Sequence, residues 1–278
     1  MLAAQSLGAV PIPLYQDAVA AECVYPINNA DVRFAIVEDQ EQVDKLLEIR
    51  PQCPQVAHIY YDDPRGLRNY AEPGLHSLEA LIEAGHIQLN QHPKLVQEQI
   101  ALAQPDDVAA MFFTSGTTGN PKGVVHTHRS LLDRAEAGAV FDRLTANEDV
   151  LAYLPPAWIG QNIFSYAQWL CCGYVVNCPE SFSTVSIDLK EIGPTYYFAP
   201  PRVFEGMLTS VMIRMEDAGS FKRKMFHHFM AVAKRVGQRG GESAEAPVGT
   251  AAGTVASGPH VQSTGARVQP RRQPKRKR

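Results

Sequence analysis

Hydrophobic residues along the first 240 positions alternate between two spacings, which predicts a succession of short strands and helices. Short apolar runs bounded by turn residues predict strands, whereas apolar residues three or four positions apart predict helices. The predicted strands are 9–15, 33–37, 56–61, 108–113, 124–126, 150–154, 174–177 and 195–198. The predicted helices are 40–49, 77–84, 93–103, 130–140, 161–171, 184–192, 203–217 and 221–236.

The order of these elements predicts the fold class. Residues 33–61 read as strand, helix and strand, and such a unit implies that its two strands pair in parallel. The same alternation continues along the chain. The pattern therefore predicts an α/β fold.

The composition changes after Gly237. The segment Gln238–Arg278 contains no Phe, Tyr, Trp, Leu, Ile or Met, so it cannot bury enough apolar area to offset the entropy of ordering it. It carries eight basic and two acidic residues, whereas residues 1–237 carry 18 and 27. We therefore expect a folded domain over 1–237 and a disordered basic tail over 238–278, of unrelated or frame-shifted sequence.

Charge and cysteine content narrow the functional classes. A negatively charged body argues against nucleic-acid binding by the folded part, although the basic tail leaves RNA binding open as an alternative.

The five cysteines form no CxxC pair, which argues against a disulfide framework or a zinc site and favours the cytoplasm. His126 and His128 lack further candidate ligands, so no metal site is expected. No apolar run is long enough to span a bilayer, and the N-terminus does not resemble a signal peptide.

The stretch Met111–Val125 carries the clearest chemistry in the chain. An apolar strand enters a loop rich in glycine and hydroxyl residues, and Lys122 follows it. Glycines allow the backbone to fold around an anion, inward N–H groups can bind phosphate oxygens, and the lysine adds a positive charge. The loop residues predicted to bind phosphate are Thr114, Ser115, Gly116, Thr117, Thr118 and Gly119.

Two common nucleotide-binding motifs do not fit this stretch. A Walker A loop requires GxxxxGK[ST], but Pro121 occupies the position of the second glycine and Gly123 follows Lys122. The chain also contains no GxGxxG, so a Rossmann dinucleotide site has no support.

The segment Thr114–Gly123 resembles the phosphate-loop signature of the adenylate-forming (AMP-binding) superfamily. Three further segments are similar to bacterial long-chain acyl-CoA synthetases, namely Tyr15–Asp17, Asp39–Lys45 and Ile192–Arg202. The resemblance covers about 1–237 and implies part of the large N-terminal domain of such an enzyme. It implies that a fatty acid and ATP give an acyl-adenylate and pyrophosphate, after which the acyl group passes to CoA.

The resemblance also implies roles for particular residues. Lys122 and the loop from Thr114 to Gly119 would hold the ATP phosphates, with Lys122 as the catalytic residue. Trp158 occupies a position beside the acyl pocket, although a tryptophan of the core would give the same pattern. The implied ligands are ATP, Mg²⁺, fatty acid and CoA, with possible peripheral membrane association through the lipid substrate.

Several family segments are absent from these 278 residues. They are the aromatic-Gly-x-Thr-Glu segment whose Glu helps to hold Mg²⁺, the Thr-Gly-Asp segment that binds ribose, and the C-terminal Pro-Lys-x-x-x-Gly-Lys segment. About eighty N-terminal residues of the family also have no counterpart. We therefore expect a truncated family member that is inactive alone. A non-catalytic remnant of a broken gene is the alternative reading.

Overall fold

The computed structural model describes residues 1–114 and 119–244, with side chains described as far as Val236. The chain divides into a first unit, Met1–Ala199, and a second unit, Pro200–Arg278. Four predicted phosphate-binding residues lie outside the described residues, namely Ser115, Gly116, Thr117 and Thr118.

The first unit begins with two helices and a parallel sheet. The helices are α1 (Leu2–Ser6) and α2 (Ala20–Asn29), and the strands are β1 (Phe34–Val37), β2 (His58–Tyr61) and β3 (Leu75–Ser77). Helix α3 (Gln40–Ile49) joins β1 to β2, and Asp39 caps it by accepting a hydrogen bond from the Gln42 amide at 3.2 Å. The parallel register, with Phe34 opposite His58, confirms the predicted strand–helix–strand unit.

The core of this region lies between the parallel sheet and helices α2 and α3. Ile27, Val43, Ile49 and Ile59 are all almost completely buried there. Because successive strand residues point to opposite faces, one face of β1 packs on this core and the other leaves Phe34 exposed.

A two-stranded antiparallel hairpin follows two further helices, α4 (Leu78–Gln91) and α5 (Leu95–Leu102). Its strands are β4 (Val108–Thr114) and β5 (Lys122–Thr127). Helix α6 (His128–Asp142) starts directly after β5. The Thr127 hydroxyl caps α6 by accepting a hydrogen bond from the Ser130 amide at 3.1 Å.

A short parallel sheet of two strands completes the first unit. Strand β6 (Asp149–Leu151) pairs with β7 (Val175–Asn177). Between them lie α7 (Ile159–Gln161), a π-helical segment (Asn162–Ala167) and α8 (Gln168–Cys172), and α9 (Val185–Ile192) follows β7.

Two predicted strands are wrong. Residues 9–15 form no strand, because Pro11 and Pro13 have no N–H to donate; the Pro11 carbonyl accepts a single bond from the Met111 amide at 3.2 Å. Residues 195–198 contribute only an isolated bridge between Tyr196 and Val150.

The second unit consists of α10 (Pro201–Glu216) and α11 (Ser220–Ala244). Proline suits the first position of α10 because that N–H would have no helical partner. The backbone of α11 continues seven residues into the segment predicted to be disordered, and residues 245–278 lie outside the described residues. Within the described part of the chain, no helix combines the length and apolar character needed to cross a bilayer.

Candidate functional site

The β4–β5 hairpin brings the two ends of the predicted phosphate loop together. Thr114, the last residue of β4, lies opposite Lys122, the first residue of β5. Directly opposed residues of an antiparallel pair project from the same face with Cβ atoms about 5 Å apart. The Thr114 hydroxyl and the Lys122 ammonium therefore start from one face at the mouth of the loop, and both residues are exposed.

Two glycines shape this hairpin for different reasons. Gly119 has a φ of +108°, a conformation that residues with a Cβ rarely adopt, although a Cβ there would meet nothing within 4 Å. At Gly123, by contrast, a Cβ would lie 3.0 Å from the Met111 sulfur and 3.3 Å from the Phe113 ring. Gly119 therefore has a backbone conformation that favours glycine, and Gly123 makes room for the side chains of β4.

Aromatic contacts fix the hairpin in the first unit. Phe112 is buried and meets the His126 ring edge to face at 5.8 Å, while Phe113 meets Tyr25 of α2 in the same manner at 6.4 Å. Among the described residues, no cluster of three or more His, Cys, Asp or Glu side chains is arranged to hold a metal ion. The structure thus gives His126 a packing role.

The positive charge of Lys122 is available to an anion. Within residues 1–114 and 119–236, its ammonium group forms no ion pair with a carboxylate. The next basic residue along the chain, Arg129, is instead bound to Asp106 at 2.8 Å. The hydrogen bond from Arg129 lowers the pKa of the Asp106 carboxyl group.

Trp158 belongs to a stack of three aromatic rings. Its ring lies 5.6 Å from that of Phe198, which lies 4.0 Å from that of Phe164, with interplanar angles of 28° and 14°. Gly160 makes space for the indole, since a Cβ at that position would lie 2.2 Å from two of its carbons. These contacts give Trp158 a fixed position in a partly buried apolar wall.

Two buried polar side chains hold the segment that carries this wall. The Asn162 amide donates to the carbonyl oxygens of Pro156 and Trp158, at 2.6 and 3.2 Å. The Tyr174 hydroxyl donates to the Phe164 carbonyl at 2.6 Å, and burial raises the pKa of Tyr174. The π-helical backbone, in which bonds span five residues, is thus tied at both ends of the aromatic wall.

The hairpin and the aromatic wall share two connections. Helix α6 packs against both strands of the hairpin and against the π-helical segment and α8. The Gln5 side chain also links them, because it donates to the Ala109 carbonyl at 2.8 Å and accepts from the Tyr166 hydroxyl at 2.6 Å. Ala109 lies where the hairpin register shifts, which leaves its carbonyl available.

Sequence reasoning missed several members of this arrangement. Phe164, Phe198, Asn162 and Tyr174 were not predicted as site residues. Phe198 lies in the apolar run read as a strand, so the signal was present but assigned to a sheet. No local sequence pattern marks the other three residues as members of the site.

Several curated proteins that are similar to this chain carry related names. The long-chain-fatty-acid–CoA ligase ACSBG2 of Xenopus laevis is 28% identical over 230 residues, which are 78% of this chain and 30% of that protein. The human enzyme of the same name is 29% identical over 227 residues, which are 79% of this chain and 33% of that protein. The chain thus spans about a third of the length of these relatives.

Solved structures share the fold. The anthranilate CoA ligase AuaEII, in complex with anthranoyl-AMP, superposes with a TM-score of 0.57 at 22% identity, over 70% of this chain and 36% of that one. The long-chain-fatty-acid–CoA ligase FadD1 of Archaeoglobus fulgidus gives a TM-score of 0.55 at 16% identity, over 78% and 39%. At these identities the likeness concerns the fold alone.

The family assignment rests on the whole matched range. The model of the family described as AMP-binding enzyme matches residues 1–265, which include the hairpin, the aromatic wall and both helices of the second unit. The match continues past Gly237, where the resemblance seen in the sequence ended. The chain belongs to the AMP-binding enzyme family.

Proposed function

We propose that this chain carries the phosphate-binding and acyl-binding elements of a long-chain fatty acid–CoA ligase. In that reaction ATP activates the fatty acid as an acyl-adenylate, and the acyl group then passes to CoA. The observation that carries the proposal is the hairpin register, which places Thr114 and Lys122 on one face around a loop of glycine and hydroxyl residues. The names of the curated relatives support the acid and the thiol as substrates.

The hairpin would act on the triphosphate by charge and shape. Lys122 would make a charge-assisted contact with the β- or γ-phosphate, which is stronger than a neutral hydrogen bond. The loop residues Thr114, Ser115, Gly116, Thr117, Thr118 and Gly119 would supply hydroxyl and amide donors. These groups would stabilise the charge that gathers on the departing pyrophosphate. The fatty-acid carboxylate attacks the α-phosphate, so no protein nucleophile is required.

The aromatic wall would bind the hydrocarbon chain. Trp158, Phe198 and Phe164 offer stacked rings that are only partly buried. Burying an acyl chain against such a surface contributes about 0.8 kcal/mol per CH₂ group. An apolar wall therefore favours long acids over short ones.

No Mg²⁺ site is assigned to the residues that the structure describes. Magnesium in ATP-using enzymes is held by carboxylates and by substrate phosphates. No cluster of metal-binding side chains occurs among the described residues, and the sequence lacks the Thr-Glu segment. No step of the proposal is therefore assigned to a metal ion.

We place the protein in the cytoplasm because its five cysteines are free.

The proposal is tested by steady-state kinetics in a graft. Residues 1–237 replace the corresponding segment of the Xenopus relative, and the graft is first shown to form AMP from ATP and palmitate. Lys122→Ala is expected to raise the KM for ATP, and Trp158→Ala the KM for palmitate. If Lys122→Ala leaves the ATP dependence unchanged while Trp158→Ala alters it, the two assignments are wrong.

A further inference from the structure

Helix α11 displays an apolar stripe that is exposed in the part of the chain that the structure describes. Phe221, Met225, Phe229 and Val236 are 78%, 46%, 61% and 63% exposed. The first three lie four residues apart and Val236 follows seven residues later, so all four fall on one side of the helix. An exposed stripe of this size indicates an interaction surface.

The same helix is strongly basic. Between Ser220 and Val236 there is no Asp or Glu, and there are five Lys and Arg residues. These are Lys222, Arg223, Lys224, Lys234 and Arg235. Within residues 1–114 and 119–236, Arg223 alone among these five forms an ion pair, with Glu216 of α10 at 3.6 Å. At 100° per residue, Lys222 flanks the stripe on one side, and Lys224 and Arg235 flank it on the other.

We propose that α11 binds an anionic lipid surface while lying in its plane. The apolar stripe would enter the boundary between headgroups and acyl chains, and the flanking lysine and arginine side chains would extend to the lipid phosphates. The charge of the helix complements the anionic lipid, because basic residues near the surface are attracted to its headgroups. The helix does not have the character of a membrane-spanning segment.

Other partners fit the helix less well. A second copy placed against the stripe would bring two strongly basic helices together, which repel each other. RNA would use the basic residues but would leave the four apolar side chains in water. A lipid surface uses both features at once. Such binding would also bring a fatty-acid-activating protein to the layer in which long-chain acids dissolve.

Vesicle flotation of the full chain tests this proposal. We expect binding to vesicles of phosphatidylcholine mixed two to one with phosphatidylglycerol, little binding to phosphatidylcholine alone, and release by high salt. The pair Lys222→Glu and Lys224→Glu should weaken binding by about tenfold or more, since two attractive charges become repulsive. Phe229→Ser should weaken it severalfold through lost apolar burial.

Matched controls outside α11 distinguish the helix from general surface properties. Phe182→Ser removes an aromatic ring that is 85% exposed, and Lys94→Glu with Lys190→Glu reverses two exposed charges. Neither control should change binding. The readout is independent of ATP, so failure here leaves the proposed function standing.

Several outcomes would overturn the proposal. One is no binding to the anionic vesicles, and another is an equal loss with the control variants. A third is single-stranded RNA binding that the lysine variants abolish and Phe229→Ser does not affect, which would assign the helix to nucleic acid. A melting temperature lowered by Phe229→Ser, with vesicle binding unchanged, would mean that the stripe packs against the chain itself.

Discussion

At the residue scale, Gly119 allows a test of whether ATP affinity depends on the backbone conformation of the phosphate loop. Its φ of +108° suits glycine, so Gly119→Ala is expected to strain the loop by about 1–3 kcal/mol. A loop that relieves this strain changes shape, and ATP affinity should fall. The measurements are thermal melting and nucleotide titration.

The control for Gly119→Ala is Gly206→Ala in α10. A Cβ at Gly206 would meet nothing within 4 Å, and Ala favours a helix over Gly by about 1 kcal/mol. We expect this variant to be as stable as the wild type or more so, with unchanged ATP binding. Equal behaviour of the two variants would show that the conformation of Gly119 is unimportant.

Glu148 provides a prediction about pH at the same scale. Its carboxylate accepts hydrogen bonds from the hydroxyl groups of Thr195 at 2.6 Å and Thr145 at 2.9 Å, and these bonds lower its pKa. A lowered folded pKa contributes stability above the ordinary value of 4.5, and this contribution is lost as the pH falls through the folded value.

Glu148→Gln should therefore lower the melting temperature at pH 7 and make progressively less difference as the pH falls below 4.5 and through the lowered pKa of Glu148. Thermal melting of both proteins across this range provides the measurement. The exposed Glu83→Gln in α4 is the control. A difference between Glu148→Gln and the wild type that stays constant down to pH 3 would contradict the assigned hydrogen bonds.

At the scale of elements, the Tyr174 hydroxyl is one of the two side-chain groups that hold the π-helical segment. Tyr174→Phe removes the bond to the Phe164 carbonyl, and the loss of one such hydrogen bond should lower the free energy of unfolding by about 0.5–1.5 kcal/mol. Because Phe164 stacks on Phe198, affinity for long acyl chains should also fall. Urea unfolding and palmitate titration measure the two effects.

Tyr15→Phe serves as the control for this element, because Tyr15 is 41% exposed. It should change neither stability nor palmitate binding. If Tyr174→Phe unfolds at the same urea concentration as the wild type, the bond to Phe164 does not support the segment.

Most elements could be predicted from the sequence, because local patterns decide them. The spacing of Val43, Leu46 and Leu47 with the Asp39 cap predicts α3 with its observed bounds. Residues 9–15 failed as a strand because Pro11 and Pro13 have no N–H to donate. Residues 195–198 failed because pairing requires a neighbouring strand that the local pattern does not reveal. The π-helical geometry of Asn162–Ala167 depends on partners such as Pro156 and Tyr174, so periodicity alone predicted an ordinary helix there.

The candidate site likewise has one part that the sequence could predict and one part that it could not. The phosphate loop is contiguous, so Thr114, Lys122 and the residues between them could be predicted from one stretch of sequence. Their functional assignment remains a proposal. The aromatic wall is assembled from residues up to 40 positions apart, Trp158 and Phe198 being the outermost pair. Only Trp158 could be proposed beforehand, through the family resemblance.

At the scale of the whole molecule, the chain holds two units and about a third of the length of its curated relatives. The first unit contains the hairpin, the aromatic wall and the connections through α6 and Gln5. The second unit contains the basic helix α11. The proposed binding of phosphate, acyl chain and lipid surface can therefore be tested separately, each with its own variants.

The most direct test of the central claim is a comparison of ATP and AMP binding to this chain by calorimetric titration. If the hairpin holds the β- and γ-phosphates, ATP and pyrophosphate should bind. Lys122→Ala should weaken both by about tenfold or more while leaving AMP affinity unchanged. Lys94→Ala, at another exposed lysine, should alter neither. Equal losses for ATP and AMP, or no loss for ATP with Lys122→Ala, would contradict the account.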